Sequence, residues 1–277
     1  MSSDAANGGP TDHVDGAHWP PAPLAEAQHA MDELCDRLIR FGLEYSSWRP
    51  GGTIHHDERL RRRVFRGRDD IIYRAKSVLW HATELNRSRR QVREAFRDKA
   101  TSLQAHQAFP EGFQYYLTVH HHLFDDVVFN VQSIFDYLAA LISDLRLPKR
   151  RLWGKLIADC SKNNSAVEPA LSDALLVAHR AWVGKLGTYR GDLIHREAQS
   201  GTGQSTLDSD TLTMTRTVRT PPRFAARLAT ILGPDPTKLE VADAAALIAQ
   251  QAFASTGHII DTVDTKRGAR PRHSAPG

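Results

Sequence analysis

One arginine and one histidine in this chain stand in a spacing that could do chemistry. They are Arg190 and His195, within Tyr189-Arg190-Gly191-Asp192-Leu193-Ile194-His195-Arg196, and nowhere else does an arginine precede a histidine by five positions. A histidine of ordinary pKa, about 6.5, exchanges a proton near neutral pH. A guanidinium offers a planar fork of donors to an oxyanion or a phosphate. In a regular helix, positions five apart differ by about 140°, so the two side chains of one motif diverge.

The other candidate clusters are weaker. His120-His121-His122 would place successive rings about 100° apart on a helix, so the three cannot chelate one ion together. His122 with Asp126 supplies two ligands and no third, and His55-His56-Asp57 is no better. Gly201-Thr202-Gly203-Gln204-Ser205-Thr206 follows a helical stretch and lacks the lysine of a nucleotide-binding loop. Cys35 and Cys160 are too far apart in sequence for a zinc ribbon or a C-x-x-C redox pair. There is no nucleophile elbow, no H-E-x-x-H and no evident carboxylate pair for glycoside chemistry. The expectation is a site with neither metal nor cofactor.

The elements that must position Arg190 and His195 are helical. Of the 277 residues, 41% are apolar and 25% charged, an ordinary composition for a protein with a packed core. Residues 1–22 and 266–277 read as Gly-, Pro- and Ser-rich tails without a secretory leader, and no stretch is apolar enough to span a membrane. A cytoplasmic location is expected. Between the tails, helices are predicted over Leu24–Trp48 and from Asp69 or Asp70 through Leu85, with a break near Asn86 or Ser88 and a continuation to about Gln107. A long helix follows over Phe113–Leu145, then a short one near Leu152–Cys160. The next begins at a Ser165/Glu168 capping box and runs towards Gln199. Phe113, Leu117, His120, Phe124, Val127, Val131, Ile134, Leu138, Leu141 and Leu145 recur in steps of four and three, and Val128, Phe129, Phe135 and Ala139 lie off that seam. A helix apolar nearly all round belongs at the centre of a bundle. Ser205–Leu207 and Leu212–Val218, separated by Asp208-Ser209-Asp210, predict a small hairpin before a short helix at Arg223–Leu232 and a last helix at Leu239–Asp264. The fold class is all-α, a helical bundle with a β-hairpin inserted before the last helix.

Charge is unevenly spread. Residues 51–100 hold 14 basic and 7 acidic side chains, an excess larger than the net +4 of the whole chain. Arg61, Arg62, Arg63 and Arg66 concentrate it and are the candidates for binding a phosphate-bearing partner. The same pattern also suits a solvated helix face.

With its polar-marked central helix Phe129-Asn130-Val131-Gln132-Ser133-Ile134-Phe135-Asp136-Tyr137-Leu138 followed by Tyr189–Arg196, the chain resembles the HEPN superfamily. These are helical-bundle domains whose ribonuclease members carry an R-x-x-x-x-H motif. The resemblance covers residues 111–265, with 23–110 a basic, helical region packed on that bundle. It implies a metal-independent endoribonuclease, possible as a toxin or defence effector with an antitoxin or regulatory protein, and a homodimer that brings two motifs into one cleft. In that chemistry His195 takes the proton of a ribose 2′-OH as it attacks the adjacent phosphate, and Arg190 stabilises charge on the phosphoryl oxygens. Gly184, Gly187 and Gly191 would admit the second helix. Supporting roles fall to Tyr189, Asp192, Arg196, Asn130 and Asp136; Asn130 is on the side of the central helix expected to hold Arg190 or His195, and Asp136 points nearly opposite. Many active members have Asn, His or Asp directly after the arginine, where this chain has Gly191 with Asp192 displaced by one. Two other readings stay open. One is a HEPN-like domain that binds RNA, a nucleotide or a protein without cutting. In the other, Arg190, His195 and Arg196 merely serve the dipole at a helix C-terminus.

Overall fold

The computed structural model describes residues 20–46, 58–97, 111–162, 165–195, 203–208 and 213–263. The elements run α1 (Ala22–Ser46), α2 (Glu58–Arg97), α3 (Glu111–Arg146), α4 (Trp153–Cys160), α5 (Pro169–Ala178), a π-helical turn (His179–Val183), α6 (Gly184–His195), β1 (Gly203–Asp208), β2 (Thr213–Val218), α7 (Pro222–Arg227), α8 (Ala229–Leu232) and α9 (Val241–Asp261). The architecture is an all-α bundle, with a two-stranded antiparallel hairpin ahead of its last helix. In the hairpin Gly203 pairs with Val218 and Asp208 with Thr213. No described helix is long and apolar enough to cross a membrane.

α3 is the central element. Its seam residues Val127, Val131, Ile134 and Leu138 are fully buried, and so are Val128, Phe135 and Ala139 off the seam. α2 lies antiparallel along it, because Arg63 reaches Asp144 near the end of α3 while Arg74 reaches Asn130 further back. The backbones approach at Gly67, where an added Cβ would sit 3.4 Å from the Leu141 side chain. α9 is rich in buried alanines, among them Ala245, Ala249 and Ala252. Small side chains let α1 close over it, and an Arg37–Asp261 ion pair ties the two helices. Leu24 and Leu38 of α1, Ile71 of α2 and Ile248 of α9 all belong to one continuous core.

Several expected boundaries differ, among them the single short helix at Arg223–Leu232, which is two, α7 and α8, parted at Leu228. α2 is a single helix that starts at Glu58, ahead of the proposed cap at Asp69 or Asp70, and it passes Asn86 and Ser88 unbroken. Asn86 stays helical because its Nδ2 donates to the Ala82 carbonyl, while its Oδ1 accepts from Arg89, which also reaches Asp243 on α9. The polar pair that looked like a break is thus part of the α2–α9 contact. The continuation to Gln107 lies outside the described residues past Arg97. α5 begins at Pro169, not Ser165. There Ser165 Oγ accepts from the Val167 amide in a turn, and the Glu168 side chain pairs with the buried Arg146. The stretch read as one helix from Ser165 is divided by the π-helical turn at His179–Val183. A π turn widens a helix and redirects it, which sets the line of α6.

Candidate functional site

α6 carries the arginine of the motif and packs on α3. The wide turn before it is held by aromatic contacts: Trp182 meets Phe135 edge-on at 5.2 Å, and Trp153 Nε1 donates to His179 Nδ1 at 3.2 Å. Gly184 is needed here, since a Cβ would come within 2.7 Å of His179 Cε1. One turn later Gly187 faces the Gln132 side-chain oxygen at 3.3 Å from the position of a Cβ. Two of the three glycines expected to admit a second chain therefore face this chain's own side chains. Gly191 alone has open space around the Cβ position.

Arg190 is held from two sides. Its Nη1 lies 3.9 Å from Asp136 Oδ2, and its guanidinium carbon sits 5.5 Å from the centre of the Phe129 ring. Its Nε is buried without a hydrogen-bond partner among the described residues. The side chain as a whole remains 35% exposed. An arginine so placed has donors left over for an anion, in an orientation fixed by a carboxylate and an aromatic face.

Asp136, not Asn130, is thus the polar α3 residue that meets Arg190. Asn130 is occupied on the other side: its Oδ1 accepts from Arg74 Nη1 at 3.0 Å, and its Nδ2 donates to the Asp126 carbonyl. The separation follows from helix geometry, because six residues rotate the side chain by about 240°. α2 takes one side of α3 and α6 the other. Asp136 has a second task, since its Oδ1 accepts from the Trp153 amide at 3.2 Å. Leu152, at the N-cap of α4, makes no side-chain cap bond, so a carboxylate from α3 satisfies one of the unpaired amides there.

Tyr189 is core. It is fully buried, meets Phe224 edge-on at 4.7 Å, and its hydroxyl has no hydrogen-bond partner among the described residues. Burial pushes that hydroxyl well above the ordinary tyrosine range, with Asp125 and Asp192 adding to it. Asp192 turns towards α7, where its Oδ2 accepts from Arg227 Nη2 at 2.8 Å. α6 ends at His195, whose side chain lies outside the described residues, as does Arg196.

Asp125, one turn before Phe129, did not stand out in the sequence. Burial raises its carboxyl to about 6, partly opposed by His122. Its signal would have been an acid close to the apolar seam of α3, a position where burial is expected to raise a carboxyl pKa. The histidine cluster is divided by the helix: His120 is buried and His122 exposed. Among the described residues no three His, Cys, Asp or Glu side chains come together.

Of the basic residues on α2, Arg61, Arg62 and Arg66 line an open hollow of about 550 Å³ with Phe65 and Asp69. Arg62 pairs with Glu58 at 2.6 Å, a surface contact one turn apart. Arg63 turns away from the hollow towards Asp144, 3.4 Å distant on α3.

Comparison with known proteins adds no family. No family model, no curated protein and no solved structure matches this chain. The functional reading therefore rests on the motif, the site geometry and the charge.

Proposed function

We propose that the protein is a metal-independent endoribonuclease of the HEPN type, with Arg190 and His195 as its reacting pair. The observation that carries this reading is the state of Arg190. A guanidinium steadied by Asp136 and Phe129, on a side chain still 35% exposed, is suited to receive a phosphate. His195 stands on the same helix five residues on. In the reaction, the 2′-oxygen forms a bond to phosphorus, the bond from phosphorus to the 5′-oxygen breaks, and the proton of the 2′-OH passes to His195. The leaving 5′-oxygen takes a proton from water or from the histidine of a second copy. The products are a 2′,3′-cyclic phosphate and a 5′-hydroxyl. A homodimer across the face around Gly191, where a Cβ meets nothing, would bring two such motifs together.

The second reading, an RNA-binding domain that does not cut, is favoured by one observation. Gly191 follows the arginine, and Asp192, the nearest carboxylate after it, is drawn to Arg227. The two readings separate on paired substrates of one sequence. Cleavage of an RNA pool, with none of the same pool methylated at every 2′-oxygen, supports the nuclease; binding of both pools without cleavage supports the second reading.

A further inference from the structure

The outer face of α2 carries a pattern that the candidate active site does not use. Between Arg59 and Arg87 its exposed positions are six cations, a single acid, Asp69, and two aromatics, Tyr73 and Trp80. Those aromatics are 67% and 57% exposed. Being seven residues apart, they project from nearly the same line of the helix, about 10 Å from each other along its axis. Arginines in the opening turns are unfavourable to the helix itself, because they face the positive end of its dipole. Arg61 and Arg66 form no hydrogen bond or ion pair among the described residues.

Arg74 joins this face to α3. The Arg74 guanidinium lies 5.5 Å from the Tyr73 ring and 5.9 Å from the Tyr137 ring, and it donates to Asn130.

We infer that the exposed face of α2 is a track for single-stranded RNA, with bases stacked on Tyr73 and Trp80 and the backbone held by the arginines around them. Base stacking needs an accessible ring face and tolerates any sequence, and cations beside the rings neutralise phosphates. A second copy of the chain fits the face poorly. Six of the nine exposed positions between Arg59 and Arg87 are cations and one is an acid, so two copies of the face would set like charge against like. The choice of RNA over DNA rests on the proposed cleavage; the track itself does not.

The test uses the full chain and a fluorescein-labelled 2′-O-methyl oligouridine of about 12 nucleotides, which cannot be cut through its 2′-oxygens. Fluorescence anisotropy is expected to show binding that weakens with salt, and roughly 5-fold or greater weakening in each of Tyr73→Ala and Trp80→Ala. Trp80→Phe keeps most of the affinity, and Leu152→Ala, at the exposed apolar N-cap of α4, keeps all of it. Trp80→Ala is expected to weaken binding by the same factor in an Arg190→Ala background as in the wild type, which separates the track from the cleavage site. Absence of binding, unchanged affinity in Trp80→Ala, or equal loss in Leu152→Ala would overturn the inference. So would a change of oligomeric state in Tyr73→Ala with affinity intact, since a second copy would then occupy the face.

Discussion

Arg190 and Asp136 face each other across the α3–α6 contact, Nη1 to Oδ2 at 3.9 Å, and the other oxygen of the same carboxylate takes the first amide of α4. One side chain thus fixes the direction of the motif arginine and the start of a neighbouring helix. Replacing it has two separable effects. Asp136→Ala is expected to cost about 1–2 kcal/mol of stability through the lost acceptor. Asp136→Asn keeps an oxygen for Trp153 and loses less than about 1 kcal/mol, yet it lowers RNA cleavage roughly 10-fold by releasing Arg190. Urea unfolding and cleavage rates on the two variants check this.

The glycines of α6 should respond in opposite directions. Gly184→Ala pushes a methyl into the His179 ring, which sits 2.7 Å from the Cβ position, and disturbs the bond from Trp153. A loss of about 1–3 kcal/mol is expected. Gly191→Ala meets nothing and removes backbone freedom from the unfolded chain, so it should gain about 0.5–1 kcal/mol. If a second copy packs at Gly191, the same methyl weakens the dimer, which sedimentation would register alongside thermal melts.

Much of this fold is legible in the sequence, and α3 shows why: its apolar steps of four and three need no partner to be recognised. α2 is the opposite case. Leu60, Val64, Ile71, Ala75, Val78, Ala82 and Leu85 form its buried line, but Gly67 occupies one step of that line and arginines surround the first two members. The side chain missing from the pattern is the one whose absence lets α3 approach. The polar residues of α3 are likewise visible in the sequence, whereas their assignment depends on which helix lies on which side. Arg74 claims Asn130 and Arg190 faces Asp136 only because α2 and α6 flank α3. Tyr73 and Trp80 carried no signal, since exposure of an aromatic cannot be read from a helix whose buried face is undefined.

Two buried groups contribute to the pH dependence of stability with opposite signs. Burial holds His120 down from 6.5 to about 4, so the folded state resists its protonation. Its contribution is complete above 6.5 and is lost as pH falls towards 4. Asp125 is raised from 3.8 to about 6, so its contribution is complete below 3.8 and is lost as pH rises through 6. The two partly cancel in the wild type. Relative to the wild type, His120→Leu is expected to tilt the melting temperature upward from pH 6.5 to 4, and Asp125→Asn to tilt it the other way. Melts at half-unit pH intervals would reveal both.

Asp192 acts through Arg227 in this arrangement, their side chains meeting at 2.8 Å between α6 and α7. Arg227→Ala should therefore reproduce the effect of Asp192→Ala on cleavage, and each should cost about 1 kcal/mol of stability. A double-mutant cycle is expected to give a coupling of about 0.5–1.5 kcal/mol. Loss of cleavage in Asp192→Ala with full activity in Arg227→Ala would assign Asp192 a direct part in the reaction instead.

The most direct test of the central claim is the rate at which purified protein, in EDTA, cuts an oligonucleotide containing one ribose among deoxyriboses, measured for wild type, Arg190→Ala and His195→Ala. The account predicts a single cut beside the ribose with a 2′,3′-cyclic phosphate end, and a loss of at least about 100-fold in both variants while their melting curves stay cooperative. Equal rates in all three proteins, or no cut by the wild type, would contradict it.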